Sequence, residues 1–213
     1  MPIVVNEKNI RIERMELGPY GTNTYIVVCQ KTGESLVVDA PGNASEIIES
    51  LRETRPRYIL LTHDHFDHTG VLDELRSRLK VPLATHLENS SRLKTSPEKV
   101  LNHGDSIALG NLLVEVLHTP GHTPGGLCFK IGQYLLAGDT IFPGGPGRTN
   151  TPDDFRQILT SITTKIFSLP DDTMIYPGHG LETTVRKAKE EYAVFASRPG
   201  RADLCGDVLW LSP

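Results

Sequence analysis

Only three cysteines, Cys29, Cys128 and Cys205, occur in the 213 residues. Widely spaced and odd in number, they supply neither a disulfide framework nor a paired-cysteine metal knuckle, and they read as plain core or surface thiols. Long apolar runs are missing too. Stretches such as Tyr58–Leu61 fall far short of the roughly 20 residues a spanning helix needs, and Met1–Ile12 has no apolar segment of the kind that makes a signal peptide. The expectation is a cytoplasmic protein with no membrane partner. Charge of one sign is not in excess: 22 Lys and Arg stand against 26 Asp and Glu, a net of −4 with neutral histidine. Without a basic stripe to displace counterions, no nucleic-acid partner is expected. No low-complexity segment or linker divides the chain, so 1–213 is expected to be a single domain, with the tail 197–213 packed on it.

What is present is an alternation of apolar and turn-forming segments. Thr24–Val28 and Ser35–Asp39 read as strands joined through Gln30-Lys31-Thr32-Gly33. Asn43–Thr54 spaces Ile47, Ile48 and Leu51 along one helical face, with Asn43 or Ser45 as N-cap. Arg57–Leu61 is a short strand ending at Thr62-His63, after which Thr69–Leu79 resumes helical spacing. Val81–Thr85 reads as a strand and Leu87–Lys94 as a short helix. Strands follow at Ser106–Leu109, Leu112–Leu117, Leu127–Ile131 and Tyr134–Ala137, with tight turns at Gly110-Asn111 and Gly132-Gln133. Gly144–Thr149 reads as a flexible loop. Pro152–Ile166 is a helix, Thr173–Tyr176 a last strand and Leu181–Ala196 a terminal helix, while Val208–Leu211 either adds a strand or crosses a groove. Such a mixture predicts packed sheets with helices on their outer faces.

Eight histidines are the informative excess. Thr62-His63-Asp64-His65-Phe66-Asp67-His68 follows a strand and precedes a helix, placing imidazoles and carboxylates on a loop at a strand's carboxyl end. Burying such a cluster uncompensated is costly, and a divalent cation resolves the conflict. Neutral imidazole and carboxylate suit zinc or iron, and alternate residues of an extended loop let His63 and His65 share one ion. Three more fragments end strands in the same way: His118-Thr119-Pro120-Gly121-His122, Gly138-Asp139-Thr140 and Pro177-Gly178-His179-Gly180. Counting donors, His63, His65 and His122 complete one trio, Asp67, His68 and His179 a second, and Asp139 can bridge both ions. His86, His103 and His118 lack this setting and are expected as surface, capping or supporting groups.

These fragments resemble the metallo-β-lactamase superfamily: its HxHxDH signature matches His63, His65, Asp67 and His68, and its later His, Asp and His match His122, Asp139 and His179. Within it, the motifs from Thr62 to Gly70, His118 to Gly125, Gly138 to Thr140 and Tyr176 to His179 are most similar to glyoxalase II-like hydrolases. The resemblance implies an α/β fold, the four-layer αββα sandwich. It also implies two divalent metal ions, zinc first and iron or manganese as alternatives, with a hydroxide bridging them. That hydroxide would cleave a small-molecule thioester or related ester. Asp67 and Asp139 would be the catalytic carboxylates, Asp67 orienting the hydroxide and Asp139 fixing the ion separation. Asp39 stands near the family's supporting acid, and Arg148 is a candidate for contacting an anionic substrate. The 34 residues after His179 leave little room for the helical extension that supplies glutathione contacts in glyoxalase II. A smaller thiol, another acyl thioester or a lactone is therefore also expected as substrate, with Val208–Pro213 replacing part of that wall. The alternative within the fold is a persulfide dioxygenase with one ferrous ion on His63, His122 and Asp139.

Overall fold

In the computed structural model, which describes residues 2–198 and 203–211, two sheets lie face to face. The first follows chain order: β1 (Ile3–Asn6), β2 (Ile10–Leu17), β3 (Thr22–Cys29), β4 (Glu34–Val38), β5 (Arg55–Leu60), β6 (Leu83–Thr85) and β7 (Lys99–Val100). Neighbours from β1 to β4 pair antiparallel, and β4 to β7 pair parallel. The parallel part needs crossovers, which hold α1 (Ala44–Ser50), α2 (Phe66–Thr69), α3 (Leu72–Leu79) and a 3-10 turn at Leu87–Arg92. Asn43 caps α1, its side chain accepting from the Glu46 amide.

The second sheet is made of β8 (Ser106–Leu109), β9 (Leu112–His118), β10 (Leu127–Ile131), β11 (Tyr134–Gly138), β14 (Met174–Pro177) and β15 (Thr183–Thr184), in the order β15-β14-β11-β10-β9-β8. Between β11 and β14 the chain makes a hairpin, β12 (Ile141–Phe142) with β13 (Gly145–Pro146), and then α4 (Pro152–Ser161), which runs on as a π turn over Ile162–Ile166. Thr151 and Asp154 close a capping box on α4. The last helix is α5 (Val185–Ala196).

Three apolar clusters make the layers. Between the sheets, Ile12, Val27, Leu36 and Leu60 meet Val114, Val116, Phe129 and Leu136. Outside the first sheet, Ile26, Val37, Ile59 and Leu61 pack under α1 and α3 through Ile47, Leu51, Leu72 and Leu75. Outside the second, Cys128, Leu135 and Ile175 pack under Phe155, Ile158, Ile162, Val185 and Ala188. This is the expected αββα sandwich. Among the described residues, no helix is long and apolar enough to cross a membrane.

The structure departs from the sequence reading at several points. β1, β2 and β7 are additional strands. The helix expected at Thr69–Leu79 is two pieces, because the chain at 68–71 bonds to the end of β4: the Ala40 amide donates to the His68 carbonyl, and the Val71 amide to the Ala40 carbonyl. The short helix expected at Leu87–Lys94 is present as a 3-10 helix that ends at Arg92. Gly144–Thr149 is not a flexible loop but the tip and exit of the β12–β13 hairpin. Leu181–Glu182 has no regular structure and Thr183–Thr184 is the strand β15, so α5 starts at Val185 with Thr184 as its cap. In the tail, Trp210 is fully buried beside α5, and Val208–Leu211 forms no strand. Residues 199–202 and 212–213 of that tail, like Met1, lie outside the described residues.

Candidate metal centre

The candidate donors gather beyond the carboxyl ends of the strands. The Asp39 side chain follows β4 and His63 follows β5; His122 follows β9, Asp139 follows β11 and His179 follows β14. Backbone bonds between the sheets bring these ends together: the Leu127 amide donates to the Thr62 carbonyl at 2.9 Å, and the Asn23 amide to the Gly178 carbonyl at 2.7 Å. The loop bearing His179 is held further by the Asn23 side-chain amide, which donates to Pro177 and Gly180 carbonyls at 3.0 and 2.9 Å, and by the Tyr25 hydroxyl on Pro177. His65 is extended as the residue before α2, and α2 carries Asp67 and His68 on its single turn.

All seven donors converge. Three groups have ligand atoms within 4.8 Å of one another: His63, His65 and His122; His63, His68 and Asp139; Asp67, His68 and His179. His122 Nε2 lies 2.9 Å from His65 Nδ1 and 3.5 Å from Asp139 Oδ2. Asp139 Oδ1 lies 3.3 Å from His68 Nε2, and Asp139 Oδ2 is 3.5 Å from His179 Nε2. Asp67 Oδ2 is 3.1 Å from His179 Nε2 and accepts from the Thr22 hydroxyl at 3.3 Å. Asp139 thus stands between the two outer trios. Gly178 makes this approach possible, since a Cβ there would lie 2.1 Å from Asp139 Oδ1.

Supporting hydrogen bonds decide which ring nitrogen faces the cluster. Asp39, buried at 2% exposure with a left-handed φ of 63°, accepts the Thr62 amide at Oδ1 and the Thr62 hydroxyl at Oδ2, and its Oδ2 lies 2.7 Å from His68 Nδ1. With its hydroxyl proton on Asp39, the Thr62 oxygen accepts from His63 Nδ1 at 3.0 Å. His122 Nδ1 donates to the Arg148 carbonyl at 2.7 Å. Three imidazoles therefore present Nε2 to the centre.

The electrostatics match. Burial holds the His63 imidazole well below its ordinary range, and burial together with His122 lowers His65 to about 4. Burial acts against a charged His68, but the Asp39 and Asp139 carboxylates override it and push that ring up to about 10; Asp139 and Asp67 push His179 up to about 10. Burial acts against the Asp139 carboxylate as well, yet His179 and His68 hold it well below the usual carboxylate range. The chain by itself balances its carboxylates with imidazolium protons, which a divalent cation replaces on binding.

The residues suit such a cation. His63 Nε2, His68 Nε2 and Asp139 Oδ1 are buried without a directed hydrogen bond, although the last two approach within 3.3 Å. An orphaned buried polar atom costs about 1–3 kcal/mol, a penalty that coordination removes. Imidazole nitrogens and carboxylate oxygens with no thiolate form the donor chemistry of zinc, iron or manganese.

The other sequence candidates fall in different places. The Arg148 side chain is exposed; its backbone carbonyl, not its guanidinium, touches the site. His86 accepts the Glu88 amide and stacks on His118 with ring centroids 4.1 Å apart, and His103 is exposed, so none of the three joins the cluster. Cys29, Cys128 and Cys205 are free thiols, the first two buried. Thr62, Thr22 and the Arg148 carbonyl escaped the sequence reading. A threonine before a histidine carries no signal, and a carbonyl has no residue type.

The sequence profile described as "Metallo-beta-lactamase superfamily" matches residues 17–179. The probable metallo-hydrolase YqgX of Bacillus subtilis is 34% identical over 84% of this chain and 94% of its own length. Hydroxyacylglutathione hydrolase GloC of Haemophilus influenzae is 32% identical over 72% of this chain and 83% of its own. Among solved structures, TTHA1623 in a di-iron-bound form superposes with a TM-score of 0.72 at 27% identity, covering 83% of this chain and 96% of that one.

Proposed function

The chain belongs to the metallo-β-lactamase superfamily, and from that premise we propose that it is a glyoxalase II-like hydrolase using two divalent cations to cleave a small-molecule thioester or related ester. The observation that carries this reading is the convergence of seven donors into overlapping trios around Asp139. His63, His65 and His122 would hold one cation, Asp67, His68 and His179 the other, with Asp139 between them. When bound, such a pair supplies a water acidified to a pKa of about 7 and a Lewis acid for the scissile carbonyl.

The chain's own groups do the rest. Asp139, within 3.5 Å of His122 and His179, keeps the two halves of the centre at a fixed separation. Asp67, held by Thr22 and His179, is placed to orient the attacking water. Asp39 holds His68 directly and His63 through Thr62, so that neither ring spends reaction free energy on reorientation. The exposed Arg148 guanidinium is available to an anionic group of the substrate.

The hydrolase named GloC supports a thioester, since a protein of that name matches along most of its length. The di-iron form of TTHA1623 supports two ions and keeps iron beside zinc as the metal. A cytoplasmic setting without nucleic-acid or membrane partner belongs to the same proposal. Elemental analysis of protein purified without added metal, followed by thioester hydrolysis and oxygen uptake with a persulfide, tests it. Two zinc ions per chain and hydrolysis abolished by chelation are expected. Full activity without metal refutes it, and one iron with oxygen uptake replaces it by the dioxygenase.

A further inference from the structure

We infer that the C-terminal tail, through Trp210 and with Glu191 of α5, is a positioning device for His122 and so governs one of the two cation positions selectively. This rests on the ligand assignment proposed above and adds a part of the molecule remote from the HxHxDH motif.

The connection can be followed bond by bond. His122 Nδ1 donates to the Arg148 carbonyl at 2.7 Å. That carbonyl lies on the exit of the β12–β13 hairpin, two residues beyond Pro146. The hairpin belongs to neither sheet and pairs only with itself, so its position depends on what grips it. At its tip, the Gly144 amide donates to the buried Glu191 carboxylate at 2.7 Å, while the Gly144 carbonyl accepts from the Trp210 amide at 2.7 Å. At its exit, Thr149 exchanges two backbone hydrogen bonds with Gly206, at 2.8 and 3.2 Å. The tail therefore grips the hairpin on both sides of Arg148.

Trp210 is the anchor that keeps the tail in place. It is fully buried, with ring centroids 5.3 Å from Tyr192 and 6.3 Å from Phe167. Its side chain supplies the burial, and its backbone supplies the bond to Gly144. The second trio depends on the hairpin less: Asp67, His68 and His179 are hydrogen-bonded or anchored by Thr22, Asp39 and the Asn23–Tyr25 pair on the first sheet, and the hairpin meets them through the Phe142 ring, whose centroid is 6.3 Å from that of His179.

The test withdraws metal from the loaded, full-length protein with graded chelator and reads metal per chain by elemental analysis. Wild type releases two ions. In Trp210→Ala one release step should move to a chelator activity about tenfold lower, at the mild end of what removing a ligand's supporting partner costs, while the other stays put. Trp210→Phe should restore most of the shift. Glu191→Ala loosens the same hairpin from its other anchor and should move the same step, which covers the case of a tail variant that folds poorly. Ile47→Val, a change in the separate apolar cluster outside the first sheet, should lower thermal stability and move neither step. Equal movement of both steps, or of neither, in Trp210→Ala and Glu191→Ala overturns the inference. A wild-type chain that releases fewer than two ions overturns the ligand assignment beneath it and this inference with it.

Discussion

Replacing Asp39 by asparagine changes one atom in a buried carboxylate that serves both halves of the metal centre. Asp39 sits at φ 63°, a left-handed conformation that Asp and Asn tolerate better than other side chains, so the backbone is not the variable. In the native chain the carboxylate accepts from the Thr62 amide and hydroxyl and from His68 Nδ1. An asparagine that keeps its oxygen toward the Thr62 amide must point its NH2 at His68 Nδ1. That ring is then driven to the tautomer with its proton on Nε2, where it can no longer give a lone pair to the cluster. The flipped asparagine places NH2 against the Thr62 amide and fares no better. Losing one charge-assisted hydrogen bond is worth about 1.5–3 kcal/mol, which at about 1.4 kcal/mol per factor of ten is roughly a 10–100-fold weaker hold on the cation that His68 would ligate. The assay is competition between full-length protein and a chelator for zinc, with hydrolysis rates measured at limiting and saturating zinc. Excess zinc should recover part of the activity, which a misfolded chain would not do. Wild-type zinc affinity in Asp39→Asn would refute the reasoning that Asp39 sets the His68 tautomer.

Gly178→Ala puts a Cβ 2.1 Å from Asp139 Oδ1 and 2.7 Å from His68 Cε1; an enforced displacement should cost about 100-fold in kcat with unchanged circular dichroism, and wild-type kinetics would mean the centre is looser than drawn. Arg148→Ala should leave metal content intact, since only its carbonyl meets His122, and raise KM for an anionic substrate with kcat preserved; loss of metal would contradict this. Phe129→Ala empties a fully buried position between the sheets and should cost about 3–5 kcal/mol in denaturant unfolding while zinc per chain stays the same.

The centre was readable from the sequence because its donors come in strand-ending fragments whose residue types have few other uses. His63, His65 and His68 crowd one loop, and Asp139 and His179 sit among glycines that permit close approach. What holds those donors was less visible. Thr62 acts through a hydroxyl and Arg148 through its backbone, and neither leaves a pattern. The same holds for the fold. β10 and β11 read clearly around a turn at Gly132, whose φ is 58°. β2 did not, because it changes its buried face midway: Ile10 and Ile12 pack between the sheets, while Met15 and Leu17 pack under the helices. That shift breaks the alternation by which a half-buried strand is recognised. The hairpin at 141–146 was hidden for a different reason, as its glycines suggest mobility and its restraint comes from Glu191 and Trp210, far along the chain.

Anomalous diffraction at the zinc edge, from crystals of protein purified without added metal, would locate the cations themselves. Two peaks are expected, one among His63, His65 and His122 and one among Asp67, His68 and His179, with Asp139 reaching toward both. A single peak, or peaks away from these side chains, would contradict a two-cation centre built on the seven donors.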